Sequence, residues 1–345
     1  MAAIAALDVA TGEVLVLASK PGYDLNDFSP RISAATAKDV EERGAWTNYA
    51  LQGVYPPGST FKLVTAIAGL RNGWITPEGS TAECSGAMSV GNRVFHCDNG
   101  NGVHGHIGFS EAVGRSCDVF FYTYGLQVGA GLLAAEARRF HLDRPTGIEL
   151  PHEVRRMLVP DPEWKLRNRN ERWMPGDTAN TAIGQGFLGV TPLQMACFVA
   201  SLARGETTTK PTLLHNPARP AQHSEPIGLT AAQHDALIRG MEGCTTYGTA
   251  KILATQFLRI PGLRMAGKTG TAQTTRDGKL INIAWFVCFA PVEHPAIAIA
   301  VAIEGETASA GESYNGGRFA APVAQAVLKK WFEKSGGAAA SSARS

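Results

Sequence analysis

Residues 55–71 have the sequence Tyr55-Pro-Pro-Gly-Ser-Thr-Phe-Lys-Leu-Val-Thr-Ala-Ile-Ala-Gly-Leu-Arg71, in which a Pro-Pro-Gly turn precedes a mostly apolar run. The run tolerates a helix and stops at Asn72-Gly73, a typical helix end. We therefore predict a buried helix that begins at or beside Ser59. Residues three apart share one helical face, so Lys62 is expected to bring its amine to the Ser59 hydroxyl.

This pairing of serine and lysine is typical of nucleophilic catalysis. A serine hydroxyl is a weak nucleophile until a base removes its proton. Lysine can be that base where burial or a neighbouring positive charge lowers its pKa toward the working pH. A serine that begins a helix also lies near backbone N–H groups and the positive end of the dipole, which favour an oxyanion. Taken alone, Ser59 and Lys62 fit a helix N-cap and a solvated lysine equally well.

Two further motifs follow in order, Ser116-Cys117-Asp118 and Lys268-Thr269-Gly270. The Ser116 hydroxyl is expected to pass a proton between Lys62 and an entering or leaving amine. Gly270 lets a substrate backbone approach a strand edge, and the ammonium and hydroxyls beside it suit a carboxylate. Each motif alone would indicate only a helix cap or an exposed edge strand. The ordered combination occurs in β-lactamases and penicillin-binding proteins.

The chain resembles the transpeptidase domain of class B penicillin-binding proteins from about Ala5 to Phe332. Besides residues 55–62, the likeness is carried by Gly184-Gln-Gly-Phe-Leu-Gly-Val-Thr-Pro-Leu-Gln-Met195 and Ala266-Gly-Lys-Thr-Gly-Thr-Ala-Gln273. Asp118 stands where division-type relatives usually carry Asn. Together with the segment from Cys84 to His104, Asp118 resembles the elongation type, penicillin-binding protein 2.

The resemblance implies a D,D-transpeptidase that cross-links peptidoglycan stem peptides during cell elongation. Ser59 would attack the D-Ala–D-Ala carbonyl, and an amine on a neighbouring strand would take the acyl group. Backbone N–H groups of Ser59 and Thr271 would form the oxyanion hole, while Lys268, Thr269 and Thr271 would hold the terminal carboxylate. β-Lactams would acylate the same serine.

The resemblance also implies a cellular context. It predicts a RodA-type glycan polymerase and the elongation complex as partners, at the periplasmic face of the inner membrane. The resemblance further implies a membrane anchor and a pedestal region upstream in the complete protein. The sequence itself shows no signal peptide and begins almost at once with a strand-like run, which reads like a strand already inside a domain. This chain is therefore expected to be a soluble fragment that lacks the anchor.

Two other functions share the same motifs. A serine β-lactamase must hydrolyse its acyl-enzyme, which requires a water activator, and no Glu or carboxylated Lys can be assigned to that role. A non-catalytic β-lactam sensor or scaffold would keep the fold without turnover. The presence of Ser59, Lys62 and Lys268 argues against a scaffold, although a sensor is also acylated.

Four residues form a candidate metal site, three of them between the first two motifs and one inside the second: Cys84, Cys97, His104 and Cys117. Three thiolates and one imidazole make a complete tetrahedral set for structural zinc, which catalysis itself would not need. A disulfide between Cys84 and Cys97 and free thiols are the alternatives. His106 and Asp98 are alternative ligands, but the resemblance favours His104, because related elongation enzymes have Gly-His-Gly where this chain has Val103-His-Gly.

The order of the predicted elements indicates an α+β fold with the penicillin-recognising, β-lactamase-like architecture. Two β-rich runs at Ile4 to Val9 and Glu13 to Ala18 form a hairpin. Three later runs predict strands, at Gly270 to Thr275, Asn282 to Phe289 and Ala296 to Glu304, and Pro322 to Lys334 predicts a closing helix. Such an order implies an antiparallel sheet built from both termini, flanked by helices and a helical subdomain.

The order of the elements predicts one domain followed by a short tail. Residues 1–335 are expected to form the transpeptidase domain, with sheet parts at about 1–55 and 260–335 and a helical middle at about 56–259. Residues 336–345 are rich in Gly, Ala and Ser and are predicted to be a disordered tail.

Composition excludes several classes of function. The chain has 44% hydrophobic and 18% charged residues and a formal net charge of +2, so it lacks the basic excess of a nucleic-acid-binding protein. Its longest apolar runs, such as Ala296 to Ile303, are far shorter than the roughly 20 residues of a membrane helix.

Overall fold

The sheet of the protein is assembled from both ends of the chain. The computed structural model describes residues 1–97, 102–255, 260–276, 278–306 and 314–334. Its strands are β1 (Ala2–Asp8), β2 (Val14–Lys20), β3 (Thr81–Cys84), β4 (Ala87–Val90), β5 (Arg93–His96), β6 (Gly105–Gly108), β7 (Ala266–Arg276), β8 (Lys279–Ala290) and β9 (Ile297–Glu306). Five of them form an antiparallel sheet in the order β2-β1-β9-β8-β7. The predicted α+β class and the sheet built from both termini are confirmed.

Helices pack around this sheet and form the middle of the chain. They are α1 (Ala34–Glu42), α2 (Tyr49–Gln52), α3 (Lys62–Arg71), α4 (Phe109–Arg115), α5 (Asp118–Arg139), α6 (Pro162–Arg169), α7 (Pro175–Ala182), α8 (Pro192–Arg204), α9 (Ala231–Thr246), α10 (Gly316–Phe319) and α11 (Ala321–Lys334). Short 3-10 turns lie at Leu25–Phe28, Gly58–Phe61 and Lys251–Ala254. Within the described residues, no helix has the length and apolar character needed to cross a membrane.

The central strands of the sheet are covered on both faces, because successive side chains point to opposite faces and nearly all of those in β1 and in the second half of β8 are buried. On one face Trp285 lies opposite Ala302 and contributes to a large core shared with the helical part. On the other face Phe286 lies opposite Val301 in a second core closed by α11. Central strands covered on both sides are nearly continuous apolar runs, which explains why the sequence of β8 is so readily identified.

The helix predicted at Ser59 is present, but its regular part begins at Lys62. Ser59 lies in the preceding 3-10 turn. Helix α3 is buried along almost its whole length and packs against α5. An apolar helix of this kind is expected in a protein core. Because Lys62 is the first residue of α3, its side chain is also buried.

Two parts of the sequence prediction differ from the structure. The span 81–108 was included in the helical middle, yet it contains four short strands paired as β3 with β6 and β4 with β5. These strands of four residues are separated by turns and are too short to give a clear periodic pattern. In addition, β7 begins at Ala266 rather than Gly270, so Lys268 and Thr269 lie inside the strand. The predicted tail at 336–345 lies outside the described residues.

Candidate active site

The three motifs meet at one cleft, although they are far apart in the chain. The cleft has a volume of about 420 Å3 and lies where the edge strand β7 faces the helical part. Residues from every motif line it: Ser59, Ser116, Asp118, Thr269, Gly270 and Thr271. Lys62 and Lys268 lie behind this lining and are fully buried. All eight residues predicted for catalysis and substrate binding are therefore in or directly behind the same cleft.

The turn that carries Ser59 is held by close backbone contacts. Gly58 has a φ of +54°, and its N–H donates to the Gly184 carbonyl at 2.9 Å. A Cβ atom on Gly184 would lie 2.0 Å from the Gly58 oxygen, so glycine is required at this position. The Thr60 hydroxyl donates to the Pro57 carbonyl at 2.7 Å and closes the turn from the other side. Ser59 is thus placed by a rigid turn rather than by a flexible loop.

The Lys62 ammonium connects this turn to the Ser116 motif. Its Nζ atom donates to the Ser116 carbonyl at 2.7 Å and lies 3.0 Å from the Ser116 Oγ. Its third close partner is Asp118 Oδ1 at 2.6 Å. An ammonium has three N–H donors, so these three acceptors satisfy it completely. The buried positive charge is therefore both hydrogen-bonded and compensated by a carboxylate.

Ser116 adopts a backbone conformation that non-glycine residues seldom use. Its φ and ψ are 58° and 40°, in the left-handed region, where it joins the end of α4 to the start of α5. Such residues persist where their surroundings fix them, and they are frequent at functional sites. Here the bond from Lys62 to the Ser116 carbonyl supplies part of that constraint.

Lys268 has a different environment from Lys62. Its side chain is fully buried in β7, and the one hydrogen bond found for its Nζ among the described residues goes to the Thr269 carbonyl at 3.1 Å. Burial, followed by the positive charge of Lys62, lowers the pKa of Lys268 to about 7. Near neutral pH the Lys268 side chain is consequently divided between its charged and neutral forms.

The edge of β7 lies directly against the Ser59 turn. A Cβ atom on Gly270 would lie 2.9 Å from the Pro57 oxygen, which leaves room only for glycine. A Cβ atom on Gly58 would lie 2.6 Å from the Thr271 oxygen, so the backbones on either side of the cleft are in contact range. The amide of Gln185 donates to the same Thr271 oxygen at 3.4 Å. This arrangement brings the backbone of Ser59 close to that of Thr271, as an oxyanion hole requires.

Several residues of the cleft were not predicted from the sequence. Gln185 lies in the segment that carried the family resemblance but had no assigned role. The others lie outside every motif, and they include Thr249, Lys251, Asn315 and Arg318. Their positions depend on contacts between distant parts of the chain, so only the tertiary structure identifies them.

The predicted metal ligands also come together. The ligand atoms of Cys84, Cys97, His104 and Cys117 all lie within 4.8 Å of one another. His104 Nδ1 is 3.5 Å from both the Cys84 and Cys97 sulfurs, and Cys97 Sγ is 4.0 Å from Cys117 Sγ. Tetrahedral zinc with ordinary bond lengths needs sulfur–sulfur distances of about 3.8 Å and sulfur–nitrogen distances of about 3.5 Å. The cluster therefore matches a zinc site in composition and in size.

This cluster adjoins the Ser116 motif. The N–H of Asp118 donates to Cys97 Sγ at 3.2 Å, and Cys117 lies between Ser116 and Asp118 in the sequence. A hydrogen bond with Cys117 lowers the pKa of Cys97 to about 5, while the same contact raises the pKa of Cys117. A thiolate is the form in which cysteine binds a metal.

The structure also bears on the alternatives to this ligand set, which were a disulfide and two other ligands. The structure has Cys84 and Cys97 as free thiols rather than as a disulfide. His106 lies 2.5 Å from Glu83, on the exposed surface, and is not one of the four clustered residues. Asp98 lies outside the described residues.

Comparison with known proteins agrees with the fold and with the motifs. A family model described as Penicillin binding protein transpeptidase domain matches residues 2–329. Peptidoglycan D,D-transpeptidase MrdA of Acinetobacter baumannii is 33% identical over 326 residues, which are 87% of this chain and 47% of that protein. This chain thus spans about half the length of that relative.

Solved structures give the same result. Penicillin-binding protein 2 of Pseudomonas aeruginosa, in complex with WCK 5153, has a TM-score of 0.81 and 33% identity, covering 96% of this chain and 73% of that one. Penicillin-binding protein 2 of Helicobacter pylori, in complex with MreC, has a TM-score of 0.81 and 31% identity. This match covers 96% of this chain and 60% of that one.

The fold and the three motifs that meet at the cleft thus agree with one class of protein, and the chain belongs to the penicillin-binding protein transpeptidase family. Within that family it is a class B domain of the penicillin-binding protein 2 type, as the sequence motifs predicted.

The contact between Gly184 and Gly58 can be tested with a matched pair of variants. Gly184 and Gly186 both have positive φ, so alanine at either position carries a similar backbone strain of about 1 kcal/mol. Only at Gly184 does the new methyl meet the backbone of the Ser59 turn. We expect Gly184→Ala to slow acylation of Ser59 by benzylpenicillin about 100-fold, since small displacements of reacting groups have effects of this size. Gly186→Ala should acylate nearly as fast as the unchanged protein.

Both variants would be compared by intact mass over time and by thermal unfolding. Equal acylation rates in Gly184→Ala and Gly186→Ala would show that Gly184 does not position the nucleophile.

Proposed function

We propose that this chain is the catalytic domain of a peptidoglycan D,D-transpeptidase, with Ser59 as the nucleophile. The observation that carries the proposal is the buried Lys62 side-chain nitrogen, which contacts Ser116 and Asp118 directly behind the cleft that Ser59 lines. Similar proteins support the choice of substrate, because they are named as peptidoglycan D,D-transpeptidases.

In the proposed first step, the Ser59 oxygen forms a bond to the carbonyl carbon of the penultimate D-Ala. This step starts from the neutral form of Lys62, whose amine accepts the serine proton, and Asp118 then stabilises the ammonium that results. The C–N bond to the terminal D-Ala then breaks, and the proton passes through the Ser116 hydroxyl to the departing amine. Backbone N–H groups of Ser59 and Thr271 stabilise the oxyanion in between.

In the proposed second step, an amine of a neighbouring stem peptide attacks the acyl carbon. The bond to the Ser59 oxygen breaks, and the proton of the amine returns to that oxygen by the same route. The terminal carboxylate of the donor is held by Lys268, Thr269 and Thr271 in the first step. Departure of D-Ala frees this region of the cleft for the acceptor.

The acyl-enzyme can be observed directly by intact mass. We expect one benzylpenicillin molecule to add to the unchanged protein and the adduct to be absent in Ser59→Ala, because the serine oxygen forms the bond. A thioester analogue of the stem peptide, offered with a D-amino acid acceptor, should then give a peptide product in the unchanged protein only.

Other outcomes would identify the alternative functions. Rapid hydrolysis of the penicillin would indicate a β-lactamase, but a deacylating water needs a base. Among the described residues that line the cleft, Asp118 is the single carboxylate, and it is paired with Lys62. A stable adduct without any peptide product would indicate a sensor.

The proposed role of Lys268 predicts a dependence on pH. Its pKa of about 7 lies below the ordinary value, so the ammonium loses its proton as the pH rises through this value. Attraction for a carboxylate is lost with the charge, and we expect the second-order rate of acylation by benzylpenicillin to fall between about pH 6 and about pH 8.5. In Lys268→Arg the side chain stays charged throughout this range, so the fall should disappear. An identical fall in the variant would assign it to another group.

We further propose that the cluster of Cys84, Cys97, His104 and Cys117 holds a structural zinc ion. The donor set and its spacing support the proposal. Zinc would fix the loop before α5, because Cys117 is a ligand and the Asp118 N–H bonds to the Cys97 sulfur. The ion itself takes no part in the acyl transfer.

Elemental analysis of the purified protein tests this proposal without an activity assay. We expect about one zinc per chain, and loss of the metal in Cys84→Ser, because a tetrahedral site needs all four ligands. Cys197→Ser is the matched control, since Cys197 is also buried but is not one of the clustered residues. Protein without metal would contradict the proposal. The number of thiols that react after denaturation then distinguishes a disulfide from free cysteines.

For the complete protein we propose a membrane-anchored enzyme at the periplasmic face of the inner membrane. Its proposed partners are a RodA-type glycan polymerase and the elongation complex. The likeness to MrdA proteins supports this context, and one related structure is described as a complex with MreC.

A further inference from the structure

Thr249 lies in the cleft beside the motif that is proposed to bind the carboxylate. It lies between α9 and the 3-10 turn Lys251–Ala254, and its side chain is exposed to the cleft. Its hydroxyl oxygen is 2.5 Å from that of Thr269, which is the shortest contact recorded for either hydroxyl among the described residues. Thr249 belongs to none of the three motifs, and the reaction proposed above gives it no role.

The backbone around Thr249 is fixed on two sides. Its N–H donates to the Gly114 carbonyl at 3.3 Å, two residues before Ser116. A Cβ atom on Gly317 would lie 2.0 Å from the Thr249 oxygen, and one on Gly248 would lie 2.1 Å from the Gly114 oxygen. The backbone of Thr249 is therefore in close contact with the segment before Ser116 on one side and with α10 on the other. These backbone contacts fix the position of the Thr249 hydroxyl oxygen beside Thr269.

The direction of that hydrogen bond matters, because each hydroxyl has a single proton. A carboxylate only accepts hydrogen bonds, so Thr269 must donate its proton to the substrate. Thr269 can do so only if it accepts from Thr249 rather than donating to it. Thr249 donates in this direction when its own oxygen accepts from another group, and the buried Cys244 sulfur lies 3.3 Å away. The ordered chain is then Cys244 S–H to Thr249 O–H to Thr269 O–H to carboxylate.

We infer that Thr249 is a positioning residue for the terminal carboxylate of the donor, acting by orienting the Thr269 hydroxyl, with Cys244 orienting Thr249 in turn. The inference rests on the proposed acylation of Ser59 by a carboxylate-bearing donor. In this arrangement the proton of the Thr269 hydroxyl already points toward the carboxylate position before the substrate binds. Preorganised donors of this kind save the cost of reorientation at the moment of binding.

Two probes separate this role from a general effect on the fold. One is a thioester donor that ends in a carboxylate, and the other is its carboxamide analogue. Acylation of Ser59 by each is followed by intact mass. In Thr249→Val, which replaces the hydroxyl by a methyl group, the loss of rate with the carboxylate probe should exceed that with the carboxamide probe about five- to tenfold, as expected for one hydrogen bond. Thr249→Ser, which restores the hydroxyl, should restore most of this selectivity.

Two further variants test the order of the chain. In a Thr269→Val background, Thr249→Val should cause no additional carboxylate-specific loss, because Thr249 acts through Thr269. Cys244→Ala should reduce the selectivity about two- to threefold, as expected for a weak S–H donor. This variant also keeps the test decisive if Thr249→Val fails to fold, which thermal unfolding would reveal.

The outcomes distinguish the inference from the proposed function. Equal losses with both probes in Thr249→Val and Cys244→Ala would overturn the role of Thr249 while leaving Ser59 as the nucleophile. Independent, additive losses in the Thr269→Val background would mean that Thr249 binds the carboxylate itself, and would overturn its role through Thr269. No acylation of the unchanged protein by either probe would instead refute the proposed function.

Discussion

The buried ammonium of Lys62 is the constraint on which the rest of the site depends. An isolated charge in a protein interior costs several kcal/mol, so it must be paired and fully hydrogen-bonded. All three partners of Lys62 come from one short segment, Ser116 to Asp118, which ties the start of α3 to the start of α5. The position of that segment is fixed in turn by the cysteine and histidine cluster, through the bond from the Asp118 N–H to Cys97. The zinc proposed for the cluster would therefore act on catalysis only through this geometry.

Close backbone approach is the second constraint, and glycine makes it feasible. The Ser59 turn contacts the segment at Gly184 on one side and the edge of β7 at Gly270 on the other, at distances that leave no room for a Cβ atom. The glycine of the Lys-Thr-Gly motif is therefore required for steric reasons, in addition to the chemistry of the lysine and the threonine. The same reasoning explains why the helical part and the sheet can share one narrow cleft although their sequences are far apart.

The sequence was sufficient for the fold class and for the residues of the three motifs, and less so for their surroundings. The hairpin at the start of the chain and the apolar strand β8 have strong periodic patterns, so both were predicted. The start of β7 was missed because Ala266-Gly-Lys-Thr-Gly has little strand propensity and depends on pairing with β8. The predicted helical middle did not separate individual helices such as α6, although Asp161 followed by Pro162 is a regular helix start, with the Asp161 side chain accepting from the Trp164 N–H. Thr249 gave no signal at all, because its role depends on contacts with Gly114 and Thr269, which are remote in sequence.

Lys62 and Lys268 differ in how their charges are compensated, and this difference gives the hydroxyls of Thr249 and Thr269 a role beside Lys268. Lys62 is compensated by Asp118, whereas Lys268 is desolvated and loses its proton near neutral pH. A carboxylate held by Lys268 alone would therefore be bound with a strength that changes steeply in the range where the reaction proceeds. Hydroxyl groups do not titrate there, so a donor fixed by Thr249 contributes the same hydrogen bond on both sides of that pKa. In the proposed site the charged and the neutral contacts would thus be complementary: Lys268 would attract the carboxylate, and Thr269, oriented by Thr249, would hold it when the charge is lost.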